Sequence, residues 1–334
     1  MAVFIPNRYA DHRFPLPLIV RCVGLVVIPM SHIHPSVVSS LMMRRSPRTG
    51  GIRFATRDNA RIAYDPGGTG SEVDLPVVVM LHAMLADHTE FAALQVELAG
   101  RFRLILPDTR GHGASPSLQN QWYSVAELTA DVIAVLDAEG IASAHLVGHE
   151  LGGTIAFDVA SRHPMRVRSL TLIEPELASV LDNDPLQEVR DARMQRRASD
   201  RAAGDAAYKQ LTDQSLDGFL IPRWSEGWRA SVTKPRMGAI RRHAAALAGL
   251  LPALDAYSVN RQDAGNVTVP TLILLAEDAG LIDQMIATRL EDWLGHGEKR
   301  FASLHARAAG VVQDDQAAAL ARVLLNFWQS TMEE

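Results

Sequence analysis

The sequence has a single cysteine, no excess of basic residues and no clean membrane-spanning run, and each absence excludes a class of protein. Cys22 alone cannot form an intramolecular disulfide or a cysteine-based metal site. The 334 residues hold 33 Lys and Arg against 38 Asp and Glu, a net charge of -5. The chain is therefore not a nucleic-acid binder held by bulk positive charge. It also has no dinucleotide fingerprint, phosphate-binding loop or metal-ligand cluster, so we expect no cofactor and no metal.

Residues 1–50 differ in composition from the rest of the chain. They carry six arginines against Asp11, a charge of +5, which leaves -10 for residues 51–334. Their apolar run, 14–30, is broken by Arg21 and by prolines, whereas a membrane span needs about 20 mostly apolar residues. An export signal is the alternative, because arginines precede the run, but no A-x-A cleavage pattern follows. We interpret the segment as a disordered or non-native extension of a cytoplasmic protein. If the segment is not translated, we expect the chain to start at Met30, Met42 or Met43.

From Gly51 onward, strand and helix patterns alternate. Residues 52–64 predict two short strands around a turn. Continuous apolar or β-branched runs, typical of strands buried on both faces, follow at 76–81, 102–106, 145–147, 170–173 and 271–275. Helical patterns lie between them at 90–98, 125–136, 152–160 and 282–294. This alternation predicts an α/β protein with a doubly wound, mostly parallel sheet. We place its core at 51–176 and 267–334, with a polar, helix-rich insertion at 177–266.

Three motifs stand at the ends of these predicted strands. The strongest is 145–153 (HLVGHELGG), which has the shape of the nucleophile elbow G-x-S-x-G, a sharp strand-to-helix turn that lifts one side chain above the sheet. The central residue here is Glu150. The other two motifs are 81–84 (LHAM) and 107–115 (PDTRGHGAS).

On these motifs the sequence resembles the α/β-hydrolase fold family, particularly its enol-lactonase, esterase and cofactor-free haloperoxidase-like members. The resemblance runs from Gly51 to the C-terminus, and it implies a helical cap at 177–266 and a small-molecule substrate. It also implies a Ser–His–acid triad. Matched by position, this sequence has Glu150 for the serine, Ala279 for the acid and Val311 for the histidine. We therefore expect the triad to be replaced.

The resemblance further implies an oxyanion hole made by the backbone NH groups of Ala83 and Leu151. The pocket residues that it suggests are His82, Trp224 and Trp228, and the cap helix core explains the two tryptophans equally well. His82 is expected to shape the oxyanion loop, and His149 to pack beside the elbow as a structural residue.

Three roles are open to Glu150. In a dry pocket, burial raises a carboxyl pKa, and Glu150 then acts as an acid or base near neutral pH. If its carboxylate folds back onto the Leu151 and Ala83 NH groups, it plugs a dead oxyanion hole. As a covalent nucleophile it would need a histidine to activate water.

Weaker candidates could replace the lost partners of the triad. His305 lies in or just after the last strand, Glu174 follows the sixth strand, and Asp278 stands beside the lost acid position. The alternative to a catalytic role for each is that of a surface residue or a residue at the hinge of the cap.

Together these residues predict an enzyme that acts without cofactor on a small apolar carbonyl, ester or lactone compound, with Glu150 as acid or base. The alternatives are a non-catalytic ligand-binding pseudoenzyme and an unorthodox ester or lactone hydrolase. The sequence predicts no nucleic-acid or membrane partner and leaves the oligomeric state open.

Overall fold

One sheet of eight strands organises the computed structural model of the chain. The structure describes residues 51–67, 75–116, 123–209, 212–224, 227–277, 279–294, 299–304 and 316–332. All of these lie within a single compact unit, Arg44–Glu334, and the unit Met1–Met43 lies outside the described residues.

The strands follow from the apolar runs of the sequence. They are β1 Arg53–Arg57, β2 Ala60–Asp65, β3 Val77–Leu81, β4 Arg103–Pro107, β5 Ala144–His149, β6 Val167–Ile173, β7 Thr271–Ala276 and β8 Lys299–Leu304. Their order across the sheet is β1-β2-β4-β3-β5-β6-β7-β8. The β1–β2 and β2–β4 pairs are antiparallel, and all the other pairs are parallel. The prediction of a mostly parallel sheet is confirmed.

The register brings the carboxyl ends of the parallel strands to one edge. Leu81 of β3 pairs with Gly148 of β5, Gly148 pairs with Leu172 of β6, and Leu172 pairs with Ile273 of β7. The loops that follow these strands therefore meet above the middle of the sheet, where ligands bind in open α/β sheets.

Helices connect the strands and cover the sheet. Outside the insertion they are α1 Ala92–Leu98, α2 Val125–Ala138, α3 Leu151–Arg162, α10 Leu281–Trp293 and α11 Ala317–Met332. A short 3₁₀ helix, His88–Phe91, precedes α1. Ser124 and Glu127 form a capping box at the start of α2, so the helix begins where two of its free NH groups are satisfied.

Further helices lie between β6 and β7, where the sequence predicted an insertion. They are α4 Gln187–Lys209, α5 Asp213–Leu220, α6 Trp228–Ser231, α7 Lys234–His243, α8 Leu247–Ala256 and α9 Arg261–Gly265. We refer to these helices as the cap. The division into a core at 51–176 and 267–334 and a cap at 177–266 remains a prediction.

A continuous apolar core joins the sheet to its helices and to the inner faces of the cap. Val79, Leu146 and Leu170 on the central strands are fully buried, as are Leu247 and Leu250 on α8. No helix among the described residues is long and apolar enough to cross a membrane.

Candidate active site

The strand-to-helix turn at Glu150 has the geometry of a nucleophile elbow. Glu150 has φ 47° and ψ -111°, a strained conformation that costs on the order of 1–3 kcal/mol in a non-glycine residue. Small neighbours are required by packing: a Cβ at Gly148 would lie 2.2 Å from the Gly152 carbonyl oxygen, and one at Gly152 would lie 2.0 Å from the Leu81 oxygen. The turn thus holds the Glu150 side chain above the sheet edge.

The Glu150 carboxyl points to the cap and not back onto its own helix. It makes no capping hydrogen bond to α3, and its Oε1 accepts a hydrogen bond of 3.1 Å from Trp224 Nε1. Glu150 is 7% exposed, and burial raises the pKa of its carboxyl above the usual range. The folded-back position weighed from the sequence is not adopted.

The two tryptophans differ in their relation to this site. Trp224 meets Glu150 directly, whereas Trp228 is fully buried and donates its Nε1–H to Asp217 at 3.0 Å. Their rings pack edge to face with centroids 5.9 Å apart. Trp228 therefore supports Trp224 from within the cap.

The expected oxyanion hole is occupied by a side chain that the sequence did not single out. The Ala83 NH donates to Glu90 Oε2 at 2.8 Å, so in this structure it is not free to hold a substrate oxygen. Leu151 is the first residue of α3, where a backbone NH has no acceptor within the helix. Of the two predicted donors, Ala83 is thus engaged by Glu90.

Glu90 is stabilised as an anion at this position. Its Oε1 lies 3.3 Å from His149 Nδ1 and 3.3 Å from Arg236 Nη1 of the cap. Burial opposes its ionisation, but Arg236, His149 and the Ala83 NH outweigh burial and lower the pKa of Glu90 to about 2. The carboxylate joins the oxyanion loop, the elbow and the cap.

His149 is buried beside Glu150, and its contact with Glu90 is an ion pair without hydrogen-bond geometry. Its Nε2 has no hydrogen-bond partner among the residues that the structure describes. Burial favours the neutral ring, yet the carboxyl groups of Glu90, Glu150 and Glu174 together raise the pKa of His149.

Glu174 reaches the region in which the family resemblance places the catalytic acid. It follows β6 with φ 46°, and its Oε1 accepts a hydrogen bond of 3.0 Å from the Ala276 NH at the end of β7. Burial raises the pKa of Glu174 to about 8. Ala279, the residue matched to the family acid, lies three positions further along the chain.

Glu176 belongs to a buried ion network between core and cap. Its Oε1 accepts hydrogen bonds from Arg196 Nη2 at 2.7 Å and from Arg223 Nε at 2.9 Å. Arg196 also pairs with Asp283, and Arg223 with Asp200. Burial opposes ionisation of Glu176, but the two guanidinium groups lower its pKa to about 2.

Carboxyl groups outnumber cations in this connected region. Six acids, Glu90, Glu150, Glu174, Glu176, Asp200 and Asp283, are associated with four bases, His149, Arg196, Arg223 and Arg236. The two acids without an ion-pair partner here are Glu150 and Glu174, and burial raises the pKa of both. Burial therefore favours the neutral form of both carboxyl groups.

His82 is a structural residue of the oxyanion loop. Its Nδ1 donates to the Ala83 carbonyl oxygen at 2.8 Å, and its Nε2 accepts from the Thr109 NH at 2.9 Å. The ring is fully buried. Because both nitrogens bind backbone groups, neither is left for a ligand, although the sequence placed His82 at the pocket.

A cavity of about 520 Å³ opens between α4 and α8 of the cap. Its lining includes Glu176, Arg193, Gly204, Leu251 and Tyr257, and it does not include Glu150. The ion network of Glu176 lies on the wall of this cavity, so the cavity adjoins the elbow region through that residue.

Several of the predicted site residues are brought together and others are not described. Glu150, Trp224 and Glu174 contribute to one buried region, with Ala83 and Leu151 at its base. His305 and Asp278 lie outside the described residues.

Sequence reasoning missed Glu90 and Arg236, and it gave His149 a packing role. The only sequence signal for Glu90 was its position as an acidic residue shortly after the oxyanion loop, at the start of a predicted helix. Within the described residues, no group of three or more His, Cys, Asp and Glu side chains could hold a metal ion.

Comparison with known proteins identifies relatives of this chain. A family model described as "alpha/beta hydrolase fold" matches residues 76–306. The "Putative carbamate hydrolase RutD" of Variovorax paradoxus strain S110 is 32% identical over 232 residues, which cover 67% of this chain and 80% of that protein.

Solved structures share the fold at lower identity. A hydrolase from Pseudomonas aeruginosa PA01 superposes with a TM-score of 0.66 at 22% identity, covering 84% of this chain and 98% of its own. The enol-lactonase from Burkholderia xenovorans LB400 gives a TM-score of 0.65 at 20% identity, covering 83% of this chain and 100% of its own.

Proposed function

The chain belongs to the α/β-hydrolase fold family, and from this premise we propose that it is a cofactor-independent acid–base enzyme acting on a small apolar carbonyl compound. The observation that carries the proposal is the buried Glu150 carboxyl at the elbow, with a raised pKa and a neutral hydrogen-bond donor, Trp224, on one oxygen. An ester, lactone or carbamate is the substrate class, and the relative named for carbamate hydrolysis supports it.

Glu150 acts in its protonated form. With the Ala83 NH held by Glu90, the oxyanion loop has lost a donor, and a neutral carboxylic acid can supply one. Glu150 donates its proton to the carbonyl oxygen of the substrate, which favours attack by water at the carbonyl carbon or loss of a proton beside it. Glu150 is left as a carboxylate and must be protonated again before the next turnover.

The test measures turnover of p-nitrophenyl acetate, phenyl carbamate and δ-valerolactone by the wild type and by Glu150→Gln. The amide keeps the shape and cannot supply the proton, so we expect kcat to fall about 10²-fold or more. Glu150→Asp keeps the titrating group and retains part of the activity. The exposed Glu291→Gln on α10 is the matched control, with unchanged turnover. Wild-type kcat in Glu150→Gln would end the proposal.

A second candidate function is a non-catalytic binder, and the anion on the Ala83 NH favours it. With Glu90 fixed there by Arg236 and His149, the site could hold a ligand without processing it. This candidate predicts that one of the three compounds raises the unfolding midpoint and is recovered unchanged. Product formation that depends on Glu150 would exclude it. A covalent ester on Glu150, detected as an intact-mass adduct, would instead support the unorthodox hydrolase.

A further inference from the structure

The Nε2 atom of His149 is a buried polar group for which the described residues offer no hydrogen-bond partner. His149 is 4% exposed and ends β5, directly before Glu150. Buried polar atoms of native proteins are nearly always paired, so an unpaired one inside a site needs an explanation. A proton-transfer partner that meets it during turnover is such an explanation.

The opposite side of the imidazole is held by a carboxylate. Glu90 Oε1 lies 3.3 Å from Nδ1, and Glu90 is itself anchored by the Ala83 NH at 2.8 Å and by Arg236 at 3.3 Å. A carboxylate beside one ring nitrogen favours the cationic form of the ring, and the second nitrogen can then exchange a proton.

We propose that Glu90 and His149 form a proton relay that serves Glu150 and stands in for the lost acid and histidine of the triad. The inference rests on the proposed role of Glu150 as the acid. After Glu150 has given its proton to the substrate oxygen, the His149 imidazolium transfers its Nε2 proton to the Glu150 carboxylate. The neutral imidazole then takes up the proton released by the attacking water, or by the substrate, and the cycle closes without another reactant.

The Glu90 carboxylate favours the cationic form of His149, against burial, and the protonated Glu150 and Glu174 carry no charge. Carboxyl groups face it from three elements: Glu90 from the 3₁₀ helix before α1, Glu150 from the elbow, and Glu174 from the end of β6. Arg236 on the cap is held by Glu90 and offsets part of this charge. His149 is a positioning residue in this scheme, because it acts on the substrate through Glu150.

The first test needs no substrate. In histidine-labelled protein followed by NMR, we expect the His149 ring to titrate above 6.5, its ordinary pKa. Glu90→Gln lowers this pKa by about 1 unit or more, because an opposite charge in contact is lost. Glu150→Gln leaves it nearly unchanged, because the protonated Glu150 of the proposed function carries no charge. His145 on the same strand, whose pKa burial lowers to about 4, is the internal control and does not respond. A His149 pKa at or below 6.5, or one insensitive to Glu90→Gln, overturns the relay.

The second test separates the relay from the role of Glu150. On any of the three compounds that the wild type turns over, His149→Gln lowers kcat about 10²-fold with little change in KM. The substitution also removes one limb of the pH–rate profile, whereas substitution of a purely structural residue would leave both limbs in place. His145→Gln, a buried substitution in the same strand, keeps both limbs. Loss of activity in Glu150→Gln with an unchanged profile in His149→Gln overturns the relay alone, whereas full activity in Glu150→Gln overturns the proposed function.

Discussion

Gly152 shows how closely the elbow approaches the sheet. A Cβ there would lie 2.0 Å from the Leu81 carbonyl oxygen, an atom of the β3 backbone that cannot move aside. We expect Gly152→Ala to lower the free energy of unfolding by about 3 kcal/mol or more, because overpacking against backbone exceeds the usual cost of about 1–3 kcal/mol. Urea denaturation measures this difference.

Gly218 on α5 is the matched control for that substitution. A Cβ added at Gly218 meets nothing within 4 Å, and alanine restricts the unfolded chain and favours helix. Gly218→Ala is therefore expected to stabilise by about 0.4–1 kcal/mol. Equal effects of the two substitutions would contradict the packing described at the elbow.

Glu174 makes a pH-dependent contribution to stability. Burial raises its pKa from the ordinary 4.5 to about 8 in the folded protein. The folded state binds this proton more tightly than the unfolded state, so the contribution of Glu174 to unfolding free energy falls as pH rises from 4.5 to 8. Glu174→Gln keeps an acceptor for the Ala276 NH and does not titrate. We expect this variant to be more stable than the wild type by roughly 1–4 kcal/mol at pH 9.

Urea denaturation at pH 5, 7 and 9 tests this expectation, with the exposed Glu291→Gln run in parallel. The stability difference between Glu174→Gln and the wild type should widen with pH by more than that of the control. A difference that is independent of pH would show that Glu174 titrates normally.

At the scale of residues, the sequence could predict the elbow and not its chemistry. Gly148, Glu150 and Gly152 are contiguous, so their spacing alone predicts the turn. Glu90 lies 59 positions before His149 and meets it only because β3 and β5 are neighbours in the sheet. Whether Glu150 or Glu90 accepts the hydrogen bond of the Ala83 NH depends on side-chain packing, which residue spacing does not reveal.

At the scale of elements, the cap is joined to the core by buried charges. Removing the Glu176 carboxylate would leave Arg196 and Arg223 buried without their shared partner, and breaking such a pair costs about 3–5 kcal/mol. We expect Glu176→Gln to lower the unfolding free energy by about that amount at pH 7. Because the folded pKa of Glu176 is lowered to about 2, the contribution persists above pH 4.5 and is lost as pH falls towards 2.

An exposed ion pair is the comparison for this network. Arg261 and Asp292 are each more than half exposed at their side chains, and surface pairs of this kind contribute about 0–1 kcal/mol. Asp292→Asn should therefore change the unfolding free energy by less than 1 kcal/mol. A similarly small effect of Glu176→Gln would mean that the network does not hold the cap.

The strands were the most predictable elements. Runs such as 76–81 and 271–275 became β3 and β7 within one or two residues, because a strand buried on both faces has no polar positions to obscure its limits. The arrangement of the cap helices could not be predicted, since it depends on long-range pairs such as Trp224–Glu150 and Arg236–Glu90. These contacts join segments 74 and 146 residues apart along the chain.

At the scale of the whole molecule, the described part of the chain belongs to a segment with an acidic net charge. Residues 51–334 carry a net charge of -10, and part of their acidic surplus is buried in the cluster around Glu150. Burial without an ion-pair partner raises the pKa of Glu150 and Glu174 and so favours their neutral forms.

A further prediction at this scale concerns residues 1–42. Their composition differs from that of the rest of the chain, and regular strand patterning begins near Gly51. We expect a chain that starts at Met43 to have the same unfolding midpoint and the same turnover as the full chain, by thermal denaturation and kinetic assay.

A chain that starts at Asp58 is the informative control. It lacks β1, which pairs with β2 from Arg53↔Tyr64 to Arg57↔Ala60, and it loses the buried Ala55 side chain. It also exposes the edge of β2, whose unpaired NH and carbonyl groups then face solvent. We expect a lower unfolding midpoint and a tendency to aggregate. If the Met43 chain lost as much stability as the Asp58 chain, residues before Met43 would have to be counted as part of the folded protein.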